Sequence, residues 1–386
     1  MMPSVKEQKI IKFKSREKEV QDSSVAKKLI MLSVAVIIAL VISQWNEVVS
    51  FLPKLDNKVY KTAQTDMGEH TIHSFGSKYM AYIGKTGLVV MDRKGKEKFS
   101  VNMVLDSPSI AVSDKKIVFA PKGKNTIFSV SKSGKVTDFK TDDEINNLKI
   151  SDSGKIVAIT GKKTYNGSAV VYSARGDALF TWDSGTCNLL DASLSPDGRK
   201  LAVSVIYTGG AELECSVMLF DIESSESPYA EKSTGTNFVS SINWADNNTL
   251  VIIGDRQMCA LNGKGADKWE FDYEGKQLAA FCAQDKNNIV IALGHSSLDK
   301  EYEVLSFTSS GRKQGRYIFG QDIENITTNK NRILVTSSSG AQLLNKHGRK
   351  RDEITSEKHI YGGYLYGKGH KVMLDKGGYT EVIEMK

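Results

Sequence analysis

The sequence predicts an all-β fold, a β-propeller of eight four-stranded blades, preceded by one transmembrane helix. Three observations predict it. An uncharged apolar run fills residues 29–46. Beyond residue 57, short apolar segments alternate with period two and are bounded by Gly, Asn, Asp, Ser and Lys, which is strand patterning. A polar turn followed by an apolar strand also recurs roughly every 40–50 residues, the spacing of a propeller blade.

Taken in order, residues 1–28 form a charged tail with Lys6, Lys9, Lys12, Lys14, Arg16, Lys18, Lys27 and Lys28 among a few acidic residues. The helix 29–46 follows. At about 1.5 Å per residue, Leu29–Trp45 reaches roughly 26 Å, the short end of what crosses a hydrocarbon core of about 30 Å. Trp45 stands where an interfacial aromatic belongs, and the basic excess before the helix places the tail in the cytoplasm. Ser43-Gln44-Trp45 is a poor small-x-small cleavage site, so a retained signal-anchor is expected rather than a cleaved leader. Residues 47–56 read as a linker and 57–386 as an extracytoplasmic propeller. The expected location is the plasma membrane, single-pass, with the bilayer engaged through residues 29–46.

The chain has 386 residues and a formal net charge of +7. Part of that excess lies in the tail, and the remaining Lys and Arg look scattered along the sequence. No stripe of the kind nucleic acid binding requires is visible, so no nucleic acid partner is expected. Six prolines against 32 glycines suit many short strands joined by tight turns. Cys187, Cys215, Cys259 and Cys282 include no CxxC pair. Two disulfides are permitted outside the cell, but Cys259 and Cys282 stand in apolar runs and read as small buried hydrophobes.

The repeat has two units. In the first, a polar turn opens a strand at Tyr79, Ile117, Ile156, Leu201, Leu250, Ile289, Ile333 and Val372. The second, as in SKSGKVTDF, LNGKGADKWEF and NKHGRKRDEI, places a glycine turn before a strand that often carries an aromatic; LFDIESSESPY replaces it in the fourth repeat. Eight strand pairs give eight blades, and the eighth lacks its outer strand because the chain ends at YTEVIEMK. Asn57–Thr62 has the length to fill that gap, so the ring is expected to close by joining the two termini in one sheet. Seven blades with an irregular end is the alternative.

SPDGRKLAVS (195–204) resembles the turn-strand signature of TolB-like bacterial propellers, and the Gly-Lys-x-x-Trp/Phe strings resemble degenerate repeats of quinoprotein-like propellers. The whole arrangement, residues 25–386, is similar to an uncharacterised group of Gram-positive, mostly clostridial, single-pass membrane proteins with an external propeller. That resemblance implies an envelope location. Only Trp182 and Trp269 hold the place of the quinoprotein docking tryptophans, so no quinone cofactor is assigned.

No catalytic, cofactor-binding or metal-ligating residue is assigned. There is no GxSxG elbow. Glu69-His70-x-x-His73 is the one metal-like spacing, but i and i+3 point oppositely on a strand, and both histidines read as surface or capping residues. Asp114, Asp152, Asp197, Asp246 and Asp285 recur at one repeat position and read as turn formers. Asn166, Asn247 and Asn325 begin short matches to a glycosylation pattern that carry no weight. Segments 107–113, 146–151, 190–195, 240–245, 278–283 and 324–328 precede the first turns and are expected to line a central channel. The expected function is a non-enzymatic scaffold for an envelope protein or wall polymer. A channel-binding sensor signalling through the tail, or a quinoprotein-like or hydrolytic enzyme, are the alternatives.

Overall fold

The period-two segments form strands, and the strands assemble in fours. The computed structural model describes residues 59–64, 71–76, 78–92, 94–105, 107–162, 164–224, 227–283, 288–295, 300–366 and 371–385. The tail 1–28, the apolar segment 29–46, the linker 47–56, Glu69, His70 and Asp285 lie outside them. Among the described residues no helix is long and apolar enough to cross a membrane.

Eight four-stranded antiparallel sheets follow one another along the chain. The blades occupy residues 71–102, 108–140, 145–184, 188–235, 239–272, 277–319, 325–355 and 362–384. The eighth sheet takes its outer strand from the start of the propeller: Val59–Gln64 pairs with Tyr379–Glu384, with Gln64 opposite Tyr379 and Val59 opposite Ile383. Eight blades and closure through the N-terminal segment are therefore present, and the seven-blade alternative is excluded. The expected Asn57 lies outside the described residues, and the strand runs two residues past the expected Thr62, to Gln64.

Strand position explains strand composition. The second strands Thr249–Gly254 and Ile289–Gly294 are buried at every residue, because blades pack against both of their faces; such strands read as unbroken apolar runs. The outer strands Glu97–Asn102, Asp267–Asp272 and Lys350–Thr355 bury no residue fully and alternate exposed with half-buried positions, the pattern of a sheet wetted on one side.

The core is a ring of eight clusters, each shared by two neighbouring blades. Val157, Val171 and Phe180 of blade 3 pack with Leu201, Val203 and Phe220 of blade 4. The seam that closes the ring joins Ile72, Met80, Tyr82 and Met91 of blade 1 to Met373 and Val382 of blade 8. A single blade cannot bury its apolar faces, so the cores exist only in the assembled ring.

Because the strands alternate in direction, their connections sort onto two faces. Inner-to-second and third-to-outer turns share one, the turn face. Second-to-third turns and the links between blades share the other, the loop face.

Candidate binding face and axial cavity

The turn face is built from one recurring device. At the third-to-outer turns a short polar residue stands three before a glycine: Asp92/Gly95, Ser131/Gly134, Ser173/Gly176, Asn262/Gly265, Thr308/Gly311 and Asn345/Gly348. Its side-chain oxygen accepts backbone N–H groups of the turn, as Asn262 does from Lys264 at 2.8 Å and Ala266 at 3.1 Å. Such short side chains replace backbone turn bonds. The glycine has positive φ, +80° at Gly311, and at Gly134, Gly176, Gly265 and Gly311 it lies under a side chain of the preceding blade. A Cβ at Gly311 would stand 2.4 Å from the Trp269 ring, and one at Gly176 would stand 2.5 Å from Phe139. The indole N–H of Trp269 donates to the Ser309 carbonyl at 2.9 Å. Trp182, the other expected docking position, finds no glycine turn in blade 4 and packs instead on Phe220, ring centroids 5.2 Å apart.

The expected aspartate turns divide. Asp197 accepts bonds from the Ser195 hydroxyl at 2.6 Å and the Arg199 N–H at 3.1 Å, and Asp246 accepts the Asn248 N–H. In blade 2 the preceding Ser113 takes that work, accepting the N–H groups of Lys115 and Lys116.

The loop face carries the exposed apolar side chains. Val104 (89% exposed), Leu213 (58%), Phe238 (44%), Tyr165 (43%) and Tyr361 (57%) all lie there. Val136, Leu179, Tyr229 and Ile318 are exposed too, but on or beside outer strands at the perimeter. Two clefts adjoin over blades 4 to 6. One of about 510 Å³ is lined by Ile206, Leu213, Thr236, Phe238 and Arg256. The next, of about 690 Å³, shares Arg256 and continues to Asp272, Lys276 and Leu278.

This surface is held rigidly. The Phe238 N–H donates to Asp255 Oδ1 at 2.8 Å, and the Asp255 N–H returns a bond to the Phe238 carbonyl at 3.0 Å. Buried Asn237 accepts from the Arg256 N–H at 3.0 Å and lies so close to Gly254 that a Cβ there would meet its Oδ1 at 2.2 Å. Arg256 Nη1 donates to Thr236 Oγ1. Nearby, Glu303 accepts Lys276 Nζ at 2.6 Å and also Arg316 Nε. Burial opposes ionisation of Glu303, yet the two cations outweigh it and bring its pKa down to about 2.

On the axis, inner strands enclose a cavity of about 380 Å³. As expected, 146–151, 240–245, 278–283 and 324–328 contribute, through Lys149, Ser241, Asn243, Phe281, Cys282, Asn325 and Thr327. His73 of blade 1 and Tyr364 of blade 8 line it as well; the reading of the sequence missed both. Segments 107–113 and 190–195 are inner strands whose polar groups serve the ring. Ser109 donates to Asn147. Asp191 pairs with Lys149 at 2.5 Å and accepts the Ile242 N–H at 3.0 Å.

His73 is thus neither a surface nor a capping residue. Its Nε2 is sealed from solvent, and burial lowers its pKa to about 4, so the ring is neutral near pH 7. Cys187, Cys215 and Cys259 are free thiols and buried. Burial pushes the Cys259 thiol up to about 11, consistent with a small hydrophobe. Cys282 departs from that expectation: it is half-buried on the axis, 3.3 Å from Thr328 Oγ1. Among the described residues no group of His, Cys, Asp and Glu is arranged to hold a metal ion.

The strands and their connections define an eight-bladed β-propeller with two unlike faces. By its sequence from residue 55 to 385 the chain belongs to a family of unknown function, DUF5711. A comparison with curated proteins found no match. Among solved structures, the chain is similar to BamB from Moraxella catarrhalis, with 13% identity, TM-score 0.56, and coverage of 85% of this chain and 100% of that one. It is also similar to the C-terminal WD40 domain of Sif2, with 11% identity, TM-score 0.62, and coverage of 86% and 98%. A chain of the mitotic checkpoint complex matches at 13% identity, TM-score 0.51, over 87% and 94%. At such identities the likeness is one of fold.

Proposed function

We propose that this chain is a non-enzymatic, membrane-anchored, extracytoplasmic propeller that binds an envelope protein through its loop face. One observation carries the reading: among the described residues, every exposed large apolar side chain away from the perimeter lies on that face, and Leu213 and Phe238 share a cleft there with Arg256. Exposed apolar residues gathered around an arginine mark a protein-binding surface. The bonds that lock Phe238 to Asp255 reduce the ordering cost of association. The clefts offer contact area and charges of both signs, Glu212 and Asp272 beside Arg256 and Lys276, so the partner that fits presents an apolar anchor flanked by polar groups. The uncharged run 29–46 and the basic tail before it support the anchored, outward-facing placement. A similar propeller works within the mitotic checkpoint complex, so the fold is compatible with such a role.

A photo-crosslinking residue at position 238 or 136, in cells making the full chain, tests the reading. The expected result is a discrete protein adduct from 238 that disappears with Arg256→Glu, and none from 136. No adduct at 238, or the same bands from both positions, would contradict it.

A further inference from the structure

The lysines and arginines that look scattered along the sequence gather in the folded chain. The glycine turns between third and outer strands each set a cation on the turn face: Lys96, Lys135, Arg175, Lys264, Arg312 and Arg349, from blades 1, 2, 3, 5, 6 and 7. All six are exposed, and among the described residues none is in an ion pair. The acidic side chains nearby keep their charge but pair with none of the six. Asp92 and Asp197 accept backbone N–H groups of their own turns, Asp177 accepts the Ser173 hydroxyl, and Asp267 pairs with Lys232. Blade 4 breaks the ring, because its turn has no glycine and carries Glu223, paired with Arg199 at 3.2 Å. On the loop face, by contrast, Asp142, Asp143, Glu144, Glu212, Asp255 and Glu274 balance the basic residues.

The chain enters the propeller on this same basic face. Gln64 lies opposite Tyr379, which follows a loop-face connection, so Val59, at the other end of that strand, stands on the turn face. The 12 residues between the apolar run 29–46 and Val59 span at most about 40 Å when fully extended.

We infer that the turn face is a docking surface for an anionic phospholipid bilayer, the one in which the chain is anchored. A ring of exposed cations tethered close to such a surface is drawn to its negative potential, within about a Debye length of 8–10 Å. Docking there turns the apolar loop face away from the bilayer. The inference rests on the anchored reading only for the tether; the attraction itself belongs to the propeller.

Residues 57–386 are suited to the test, because all eight sheets and all eight cores lie within them. Binding is measured by co-sedimentation with vesicles of phosphatidylcholine alone and of phosphatidylcholine with phosphatidylglycerol. The expected result is at least ~tenfold stronger partitioning onto the anionic vesicles, as a few cations near such a surface supply, and loss of that excess in high salt. The triple variant Lys135→Glu, Lys264→Glu, Arg312→Glu loses it with unchanged thermal unfolding, and Lys122→Glu on the loop face keeps it. Equal binding to both vesicles, no binding, or full binding by the triple variant overturns the inference. So does retention by a soluble polyanion without retention by anionic vesicles, which would assign the face to a polymer. Alkaline extraction of the full chain from membranes tests the anchor separately.

Discussion

Trp269 and Gly311 meet in one contact that fixes the spacing of blades 5 and 6 from the outside. The positive φ of Gly311 and the ring over its Cα each exclude a side chain. Gly311→Ala is expected to cost roughly 2–3 kcal/mol, from the strained backbone and the overpacked ring together. Trp269→Ala should cost a comparable amount through lost packing, roughly 2–3 kcal/mol for a half-buried tryptophan. The two contacts are one, so the double variant should cost clearly less than the sum in urea unfolding; simple additivity would deny the contact. Glu303 gives a second prediction at this scale. Its folded pKa of about 2 lies below the unfolded value of 4.5. It therefore contributes stability above pH 4.5 that is lost as pH falls toward 2. Glu303→Gln should flatten the fall in stability across that window; an unchanged acid profile would count against the ion-paired geometry. The repeated glycine was legible in the sequence because φ > 0 selects it. The half-burial of Cys282 was not, because the strand pattern gives an apolar run without saying whether its end reaches the axis. His73 was misread for a similar reason. Its spacing from His70 drew attention to a local pair, whereas its environment is made by strands from distant blades.

At the scale of the element, the strand Val59–Gln64 bears on closure. It is the only strand in its sheet drawn from the opposite end of the propeller. The seam behind it is rich in methionine, with Met80, Met91 and Met373, a flexible side chain that specifies packing less sharply than branched ones. Local opening is expected to begin there. Hydrogen exchange should show peptides covering 71–92 and 371–384 exchanging before those covering 200–221 and 249–262, and deleting 59–64 should widen that gap. Uniform protection around the ring, or first opening at blades 4 and 5, would contradict it. The strands themselves were readable from alternation and turn residues. Even the closing strand was placed to within two residues, since a ring leaves one sheet incomplete and one segment unused. The clefts over blades 4 to 6 were not readable, because they depend on which loops from separate blades come together.

At the scale of the whole molecule, the asymmetry of the two faces is what sequence order conceals. Lys135, Lys264 and Arg312 are far apart in the chain, and only the alternation of strand direction brings their turns to one side. The same alternation sends Leu213, Phe238 and Arg256 to the other. A linear reading sees a modest charge excess and scattered apolar residues; the ring sorts them into a cationic surface and an apolar one.

A tethered platform whose apolar side looks outward can be tested directly by labelling single introduced thiols with a membrane-impermeant maleimide on intact cells. Val104→Cys should label readily, and Lys135→Cys should label only after detergent releases the turn face. Labelling of neither before lysis would contradict the outward placement, and equal labelling of both on intact cells would contradict the orientation.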